Sequence, residues 1–222
     1  MSNLGFRLEA AIDILKRTED NSLFADIGSD HAFLAIEILK RGIAKKVIAA
    51  DINALPLEKG RMNAESQGID MDFILSDGFD NLEDLPITSA AVCGMGGELI
   101  AGMLLRSHIA KKCRLVLQPM SAQEELRKTL WDSGFNIIGE HFVVESGKPY
   151  TVMDVLYDGI PREYTYNQLY LGKEMKPSPE FAQYCKKIKA AAEKRRLGLV
   201  AKSLPTEEID GLIDFCHLQI VN

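Results

Sequence analysis

The apolar run Ser22-Leu23-Phe24-Ala25-Asp26-Ile27 reads as a buried strand, runs into Gly28, and is followed at once by a helical pattern from His31 to Arg41. Strand, tight glycine turn and helix form the repeating unit of an α/β sheet. The carboxyl end of such a strand meets a helix N-terminus, whose free N–H groups carry about half a positive charge. That edge is where an open sheet of this kind receives a ligand.

The rest of the chain repeats the unit. Leu4, Leu8, Ala11, Ile12 and Leu15 recur at helical spacing, predicting an amphipathic first helix with Arg7, Lys16 and Arg17 facing water. Further strands are predicted at 47–51, 71–75, 87–93 and 114–118. Their ends are Asp51, Ser76-Asp77-Gly78, Gly94-Met95-Gly96-Gly97 and Pro119. Helices are expected at 54–67 and 98–106, and from a Ser121/Glu124 capping box to Trp131. Two alternating segments, 135–144 and 150–157, read as an antiparallel hairpin. Five strand–helix units followed by a hairpin make an α/β, Rossmann-like doubly wound sheet with an antiparallel edge. Gly159-Ile160-Pro161 marks a boundary, so the expected segments are 1–160 and 161–222. In the second, Ser178 as N-cap and Pro179 as first residue open one helix. Pro205-Thr206-Glu207-Glu208 opens another, striped by Ile209, Leu212, Ile213, Cys216 and Ile220, and the two are expected to pair as a helical hairpin.

Charge separates the same two segments. There are 16 basic and 24 acidic residues up to Pro161, against 10 and 8 beyond it, and Phe181–Leu204 holds 7 basic residues and one acid, Glu193. Lys186, Lys189 and Arg196 lie at helical spacing, and Lys187, Lys194 and Lys202 form a second line beside Arg195. These are candidate phosphate contacts, or else the solvated side of a helical hairpin. No apolar run is long enough for a bilayer, so no membrane is expected, and with no secretory signal the expected location is cytoplasmic. Cys93, Cys113, Cys185 and Cys216 lie far apart without a C-x-x-C pair, so free thiols and no metal are expected.

Acids stand at three successive strand ends. Asp26 precedes Gly28, Asp51 is suited to ribose hydroxyls, and Asp77 is suited to an exocyclic amine. Each also has a purely structural role open to it: a turn cap for Asp26 and Asp77, a helix N-cap for Asp51, and helix-start packing for His31. Asp51 follows Gly28 by 23 residues, close to the spacing of nucleoside-binding folds. A pyrophosphate-binding turn wants a second glycine where this chain has Asp30. A carboxylate there repels a pyrophosphate and tolerates a cationic amino-acid end, which favours S-adenosyl-L-methionine over NAD or FAD. No G-x-x-x-x-G-K-[ST] motif is present.

The stretches Ala25-Asp26-Ile27-Gly28-Ser29-Asp30-His31-Ala32-Phe33-Leu34, Gly94-Met95-Gly96-Gly97-Glu98-Leu99-Ile100 and Leu115-Val116-Leu117-Gln118-Pro119 together resemble the bacterial TrmK-type tRNA (adenine-N1)-methyltransferases. One departure is Cys93, where a small alanine-like residue is expected. The resemblance implies a class I methyltransferase fold, S-adenosyl-L-methionine as donor, tRNA as partner, N1 of the adenine at tRNA position 22 as acceptor, and a helical, coiled-coil-like C-terminal appendage. It implies that Asp26, Gly28, Ser29 and Asp30 line the methionine end and Asp51 and Ile52 the ribose. Asp77 and Gly78 then fall to the cofactor adenine, and Gly94, Met95 and Gly96 to the transfer site. Asp30, His31 and Met95 are the candidate catalytic residues, although Asp30 and His31 equally suit cofactor scaffolding. Lys186, Lys187, Lys189, Lys194, Arg195 and Arg196 are the candidate RNA contacts, and a monomer or weak homodimer is expected. Two other functions are compatible with the pattern: a small-molecule methyltransferase of the same fold, and a non-catalytic binding module.

Overall fold

The structure is a computed structural model describing residues 4–221; Met1–Asn3 and Asn222, at the outer ends of the two expected segments, lie outside the described residues. The elements run α1 (Phe6–Leu15), β1 (Leu23–Ile27), α2 (Phe33–Lys40), β2 (Lys46–Asp51), α3 (Ala54–Ser66), β3 (Asp72–Leu75), β4 (Ser89–Gly96), α4 (Gly97–Arg106), β5 (Arg114–Ser121) and α5 (Gln123–Asp132). The hairpin β6 (Phe135–Glu145) and β7 (Lys148–Tyr157) follows, then α6 (Tyr166–Leu171), α7 (Pro179–Ala201) and α8 (Glu207–Val221).

One seven-stranded sheet has the order β3-β2-β1-β4-β5-β7-β6. The first five strands are parallel, and β7 enters antiparallel between β5 and β6. Period-two alternation sends Ala25 and Ile27 of β1 to the face packed by α4 and α5, and Phe24 to the face packed by α1 and α2. The centre is lined with alanines (Ala49, Ala50, Ala90, Ala91), which let helices lie close on both faces. Strand order reverses between β1 and β4. There the connections leave in opposite directions, and the carboxyl ends of the strands frame an open crevice.

The element order and the antiparallel edge are as the sequence predicts, but several boundaries move. Gly94 does not end β4; the strand continues to Gly96 through two irregularities, pairing Met95 with Pro119 and Gly96 with Ser121. Pro119 does not stop β5. Pairing to β7 has already ended at Leu117 and β4 is bulged alongside, so a residue without an N–H is tolerated there. The Ser121/Glu124 capping box is not formed: Ser121 is still in the strand, and the chain enters α5 through Ala122 in the left-handed region, with no side-chain cap. Arg7 does not simply face water. Its Nε donates to Glu145 Oε1 (2.9 Å) and its Nη1 to Gln118 Oε1 (3.2 Å), fixing α1 across the hairpin tip and the end of β5.

After β7 the chain builds a separate apolar cluster from Leu171, Phe181, Tyr184, Cys185, Ile209, Leu212 and Cys216. Ser178 caps α7 by accepting the Phe181 N–H (3.0 Å), and Pro179 is its first residue. The short α6, not foreseen, is set by a capping box between Thr165 and Gln168. All four cysteines are free thiols, three of them buried.

The helical part is seated on the sheet by a buried ion pair. Arg127 of α5 is fully buried and donates through Nε to Glu140 Oε1 of β6 (3.0 Å) and through Nη1 to the Leu169 carbonyl (2.7 Å) at the end of α6. Glu140 Oε2 accepts the Lys173 N–H (2.8 Å), and Gly172 has no Cβ because one built there would lie 2.4 Å from that oxygen. Phe142 of β6 packs against both Phe181 and Tyr184 of α7, with ring centroids 4.9 Å apart in each case.

Replacing one partner strands the other charge in the interior. Arg127→Leu is expected to lower stability by about 3–5 kcal/mol in urea unfolding, and Arg127→Leu/Glu140→Leu to recover much of that loss. A single variant as stable as the parent would show that the pair does not hold the two parts together.

Candidate active site

The carboxyl ends of β1 to β4 bring the turn 26–31, Asp51-Ile52, Asp77-Gly78 and Gly94–Gly96 to one edge of the sheet. The turn after β1 is pinned to β2, because the N–H groups of Gly28 and Ser29 both donate to the Ala50 carbonyl (2.7 and 3.0 Å). Gly28 has φ +72°, and a Cβ built on it would lie 1.8 Å from Cε of Met95. The Met95 side chain thus closes over the turn, and both the backbone angle and the close approach require glycine.

Asp26 sits beneath this turn, accepting Ser29 Oγ–H at 2.7 Å. Burial, with a smaller push from Asp51 and against the hydrogen bonds from Ser29 and the Ala35 backbone, raises its carboxyl to about 6. Asp30 is exposed, with its Oδ1 3.4 Å from His31 Nε2. The His31 ring stacks on Phe33 at 5.4 Å between centroids. His31 and Ala32 are both left-handed, with φ of 61° and 55°. Two consecutive non-glycine residues in that region cost energy and need support. Asn63 of α3 supplies it by donating Nδ2–H to the His31 carbonyl (3.0 Å), and Gly60 makes room for Ala32, whose Cβ a Gly60 Cβ would meet at 3.0 Å.

Asp51 is not the cap of α3. Asn53 holds that position, and Asp51 Oδ1 accepts its N–H (2.8 Å), leaving Oδ2 without a partner among the described residues. Ile52 beside it is exposed. Asp77 is engaged, since Arg106 of α4 donates to its Oδ1 (2.6 Å) and its carbonyl (3.0 Å) and also to Asp80 (3.0 Å). Gly78, at φ +61°, packs on Met103, whose Sδ a Cβ would meet at 2.7 Å. At the fourth edge the Gly94 N–H donates to Oε1 of buried Gln118 (3.1 Å), the oxygen that Arg7 also reaches. The sequence gives no site role to Gln118, Arg7, Asn63, Gly60 or Phe33. Gly60, a glycine inside a helix, was the readable signal among them.

The arrangement suits a cationic nucleoside. Carboxylates at Asp30 and Asp51 face the open edge, the turn has an acid where a pyrophosphate would need glycine, and exposed Ile52 offers an apolar contact. Among the described residues no group of three or more His, Cys, Asp or Glu side chains is arranged to hold a metal, and no helix is long and apolar enough to cross a membrane.

The six candidate RNA contacts all lie on α7 but are not equally available. Lys189 pairs with Glu193 (3.1 Å) and Arg196 with Asp210 of α8. Arg195 is bonded to the Tyr170 hydroxyl, and Lys187 lies over the Tyr184 ring at 5.9 Å. Lys186 and Lys194 are exposed and make no ion pair among the described residues.

A family profile described as methyltransferase domain matches residues 4–153. Over 152 residues the chain is 30% identical to the tRNA (adenine(22)-N(1))-methyltransferase of Bacillus subtilis, covering 64% of each chain. It is 35% identical over 157 residues to a protein of Mycoplasma pneumoniae named as a candidate tRNA methyltransferase, covering 68% of this chain and 72% of that one. The chain thus spans about two thirds of the length of these curated relatives. Among solved structures, Streptococcus pneumoniae Sp1610, a candidate tRNA (m1A22) methyltransferase, is 26% identical with a TM-score of 0.80, covering 98% of this chain and 99% of that one. Its complex with S-adenosyl-L-methionine superposes with a TM-score of 0.77, covering 96% and 98%.

The raised carboxyl of Asp26 has a consequence for stability. Its folded value of about 6 lies above the ordinary 3.8, so the folded chain keeps a proton that the unfolded chain loses between the two. This contribution is full below about 3.8 and declines as pH rises to about 6. Relative to Asp26→Asn, the parent is expected to lose up to about 3 kcal/mol over that window and to run parallel above it. Urea unfolding at half-unit pH steps measures this, and curves parallel throughout would contradict it.

Proposed function

The chain belongs to the methyltransferase-domain family, and from that premise we propose that it transfers the methyl group of S-adenosyl-L-methionine to N1 of adenine in tRNA, at position 22. The observation that carries this is the strand-order reversal at β1 and β4, where the Gly28–Met95 contact forms the floor of an acid-lined crevice. The Bacillus subtilis relative bears that activity in its name, and the Streptococcus pneumoniae relative holds the donor in its crystal.

In this reading residues 1–160 carry the chemistry and 161–222 hold the RNA, in the cytoplasm, with the chain a monomer or weak homodimer. Asp26, Gly28 and Ser29 hold the amino-acid end of the donor, Asp51 Oδ2 and Ile52 its ribose, and Gly78 with the remaining oxygen of Asp77 its adenine. The bound donor supplies a methyl on a sulfonium, which leaves its electron pair on sulfur as the new C–N bond forms. N1 of adenine has an in-plane lone pair and loses no proton before attack, so the chain's task is placement rather than base catalysis. Gly94, Met95 and Gly96 border the line of attack, held by Gln118 and Arg7. The target base has to leave any helix it is paired in. The stacked His31–Phe33 pair gives it a face, and the exposed Asp30 carboxylate offsets the positive charge it acquires.

Labelled S-adenosyl-L-methionine and a tRNA transcript with adenine at position 22 are expected to give 1-methyladenosine on nuclease digestion, and a guanine-22 transcript none. Label in a small-molecule extract but not in tRNA would favour a small-molecule methyltransferase instead. Asp30→Ala and His31→Ala are each expected to lower turnover by about tenfold, an effect of roughly 1.4 kcal/mol, with donor affinity kept. Parallel losses in both would put the two residues on the donor side. Lys186→Glu/Lys194→Glu is expected to weaken tRNA binding and flatten its salt dependence without changing donor affinity; unchanged binding in 50 mM and 200 mM salt would remove these lysines from the interface.

A further inference from the structure

A second concavity lies where the helical part meets α5. It has a volume of about 220 Å³, and its walls include Glu124, Tyr166, Tyr170, Lys187, Ala191 and Arg195. That is below the roughly 300–1,000 Å³ of sites that take drug-sized ligands, and suits a single flat ring. Tyr166 and Tyr170 pack against each other with centroids 4.9 Å apart, and Arg195 lies over the Tyr170 ring, bonded to its hydroxyl. Two cations face one acid, Glu124, so the wall is net positive in a chain of net charge −6. Lys187 is held below the usual lysine range by partial burial, against the pull of Glu124.

The cleft adjoins the transfer edge. Its wall includes Ala122 and Gln123, which directly follow the end of β5. Gln123 donates to the Pro119 carbonyl (3.3 Å), and Pro119 and Ser121 pair with Met95 and Gly96. A Cβ on Gly97 would lie 2.2 Å from the Ala122 carbonyl oxygen, so the start of α4 and the entry to α5 are in close contact.

We propose that this cleft is a second nucleotide site, in which an unpaired base of the same tRNA stacks on Tyr166 and Tyr170 while Lys187 and Arg195 take its phosphates. The inference rests on the tRNA reading above and deepens it. Aromatic faces accept any base, so the site adds affinity and register without reading sequence. It also accounts for Lys187 and Arg195 lying at the cleft rather than projecting freely like Lys194. A base held here and another in the β1–β4 crevice would fix the RNA at two points on either side of the end of β5.

The test uses the whole chain and a tRNA transcript carrying 4-thiouridine. Tyr166→Ala/Tyr170→Ala is expected to raise the tRNA Kd by about 5- to 100-fold, the usual worth of a stacked base. Tyr166→Phe/Tyr170→Phe, which keeps both rings, is expected to stay within about threefold of the parent. Donor affinity should be unchanged in both. Photo-crosslinks should map to the segments around Tyr166, Tyr170 and Lys187, and this decides the matter if the alanine pair folds poorly. If the parent methylates tRNA but the alanine pair binds it as tightly, or the crosslinks fall elsewhere, the cleft proposal alone fails. If the parent neither binds nor methylates tRNA, both readings fail together.

Discussion

One buried guanidinium determines how the two parts of this molecule meet. Arg127 joins α5, β6 and the end of α6, and through Glu140 reaches the backbone after α6. A buried ion pair contributes little net stability against an apolar alternative, because desolvation offsets the attraction. What it adds is geometry: the Nε and Nη1 donors of Arg127 meet Glu140 and the Leu169 carbonyl in one relative placement of sheet and helices. The aromatic contacts of Phe142 with Phe181 and Tyr184 supply the apolar area behind it. The helical part is therefore a fixed wall beside the end of β5, and the distance between its cations and the β1–β4 crevice is set by the fold.

Much of this was legible in the chain because its signals are local. Each of the first four parallel strands is a short apolar run closed by glycine or an acid, and a hairpin is announced by Ser146-Gly147, both at positive φ as a two-residue turn demands. The misjudged boundaries depend on partners distant in sequence. Gly94 punctuates the sequence but not the strand, because the amide freed by the bulge is taken up by Gln118, 24 residues later. The Ser121/Glu124 pattern lost to pairing between Ser121 and Gly96.

The site divides in the same way. Acids at successive strand ends and the glycine turn could be read directly, since periodicity and spacing carry them. That Asp77 is shared with Arg106, 29 residues away, could not. Nor could the pairing of Arg196 with Asp210 across the helical hairpin, whereas Lys189–Glu193 is an ordinary i,i+4 pair. The His31–Ala32 backbone illustrates the deeper limit. Nothing in those two residues announces left-handed angles; Asn63 and Gly60 impose them from another helix.

The charge layout reconciles an acidic chain with the anionic partner proposed for it. The acids of the crevice, exposed Asp30 and half-buried Asp51, stand where a cationic donor and a newly cationic base would lie, and there they attract rather than repel. The cations on α7 are fewer than the sequence suggests once Lys189 and Arg196 are spoken for, leaving Lys186, Lys187, Lys194 and Arg195. Four phosphate contacts correspond to a salt slope of only about −3 to −4. In the proposed tRNA complex that term leaves room for contacts insensitive to salt. The aromatic residues placed to supply such stacking lie at Phe33 beside the crevice and at Tyr166 and Tyr170 beside α5.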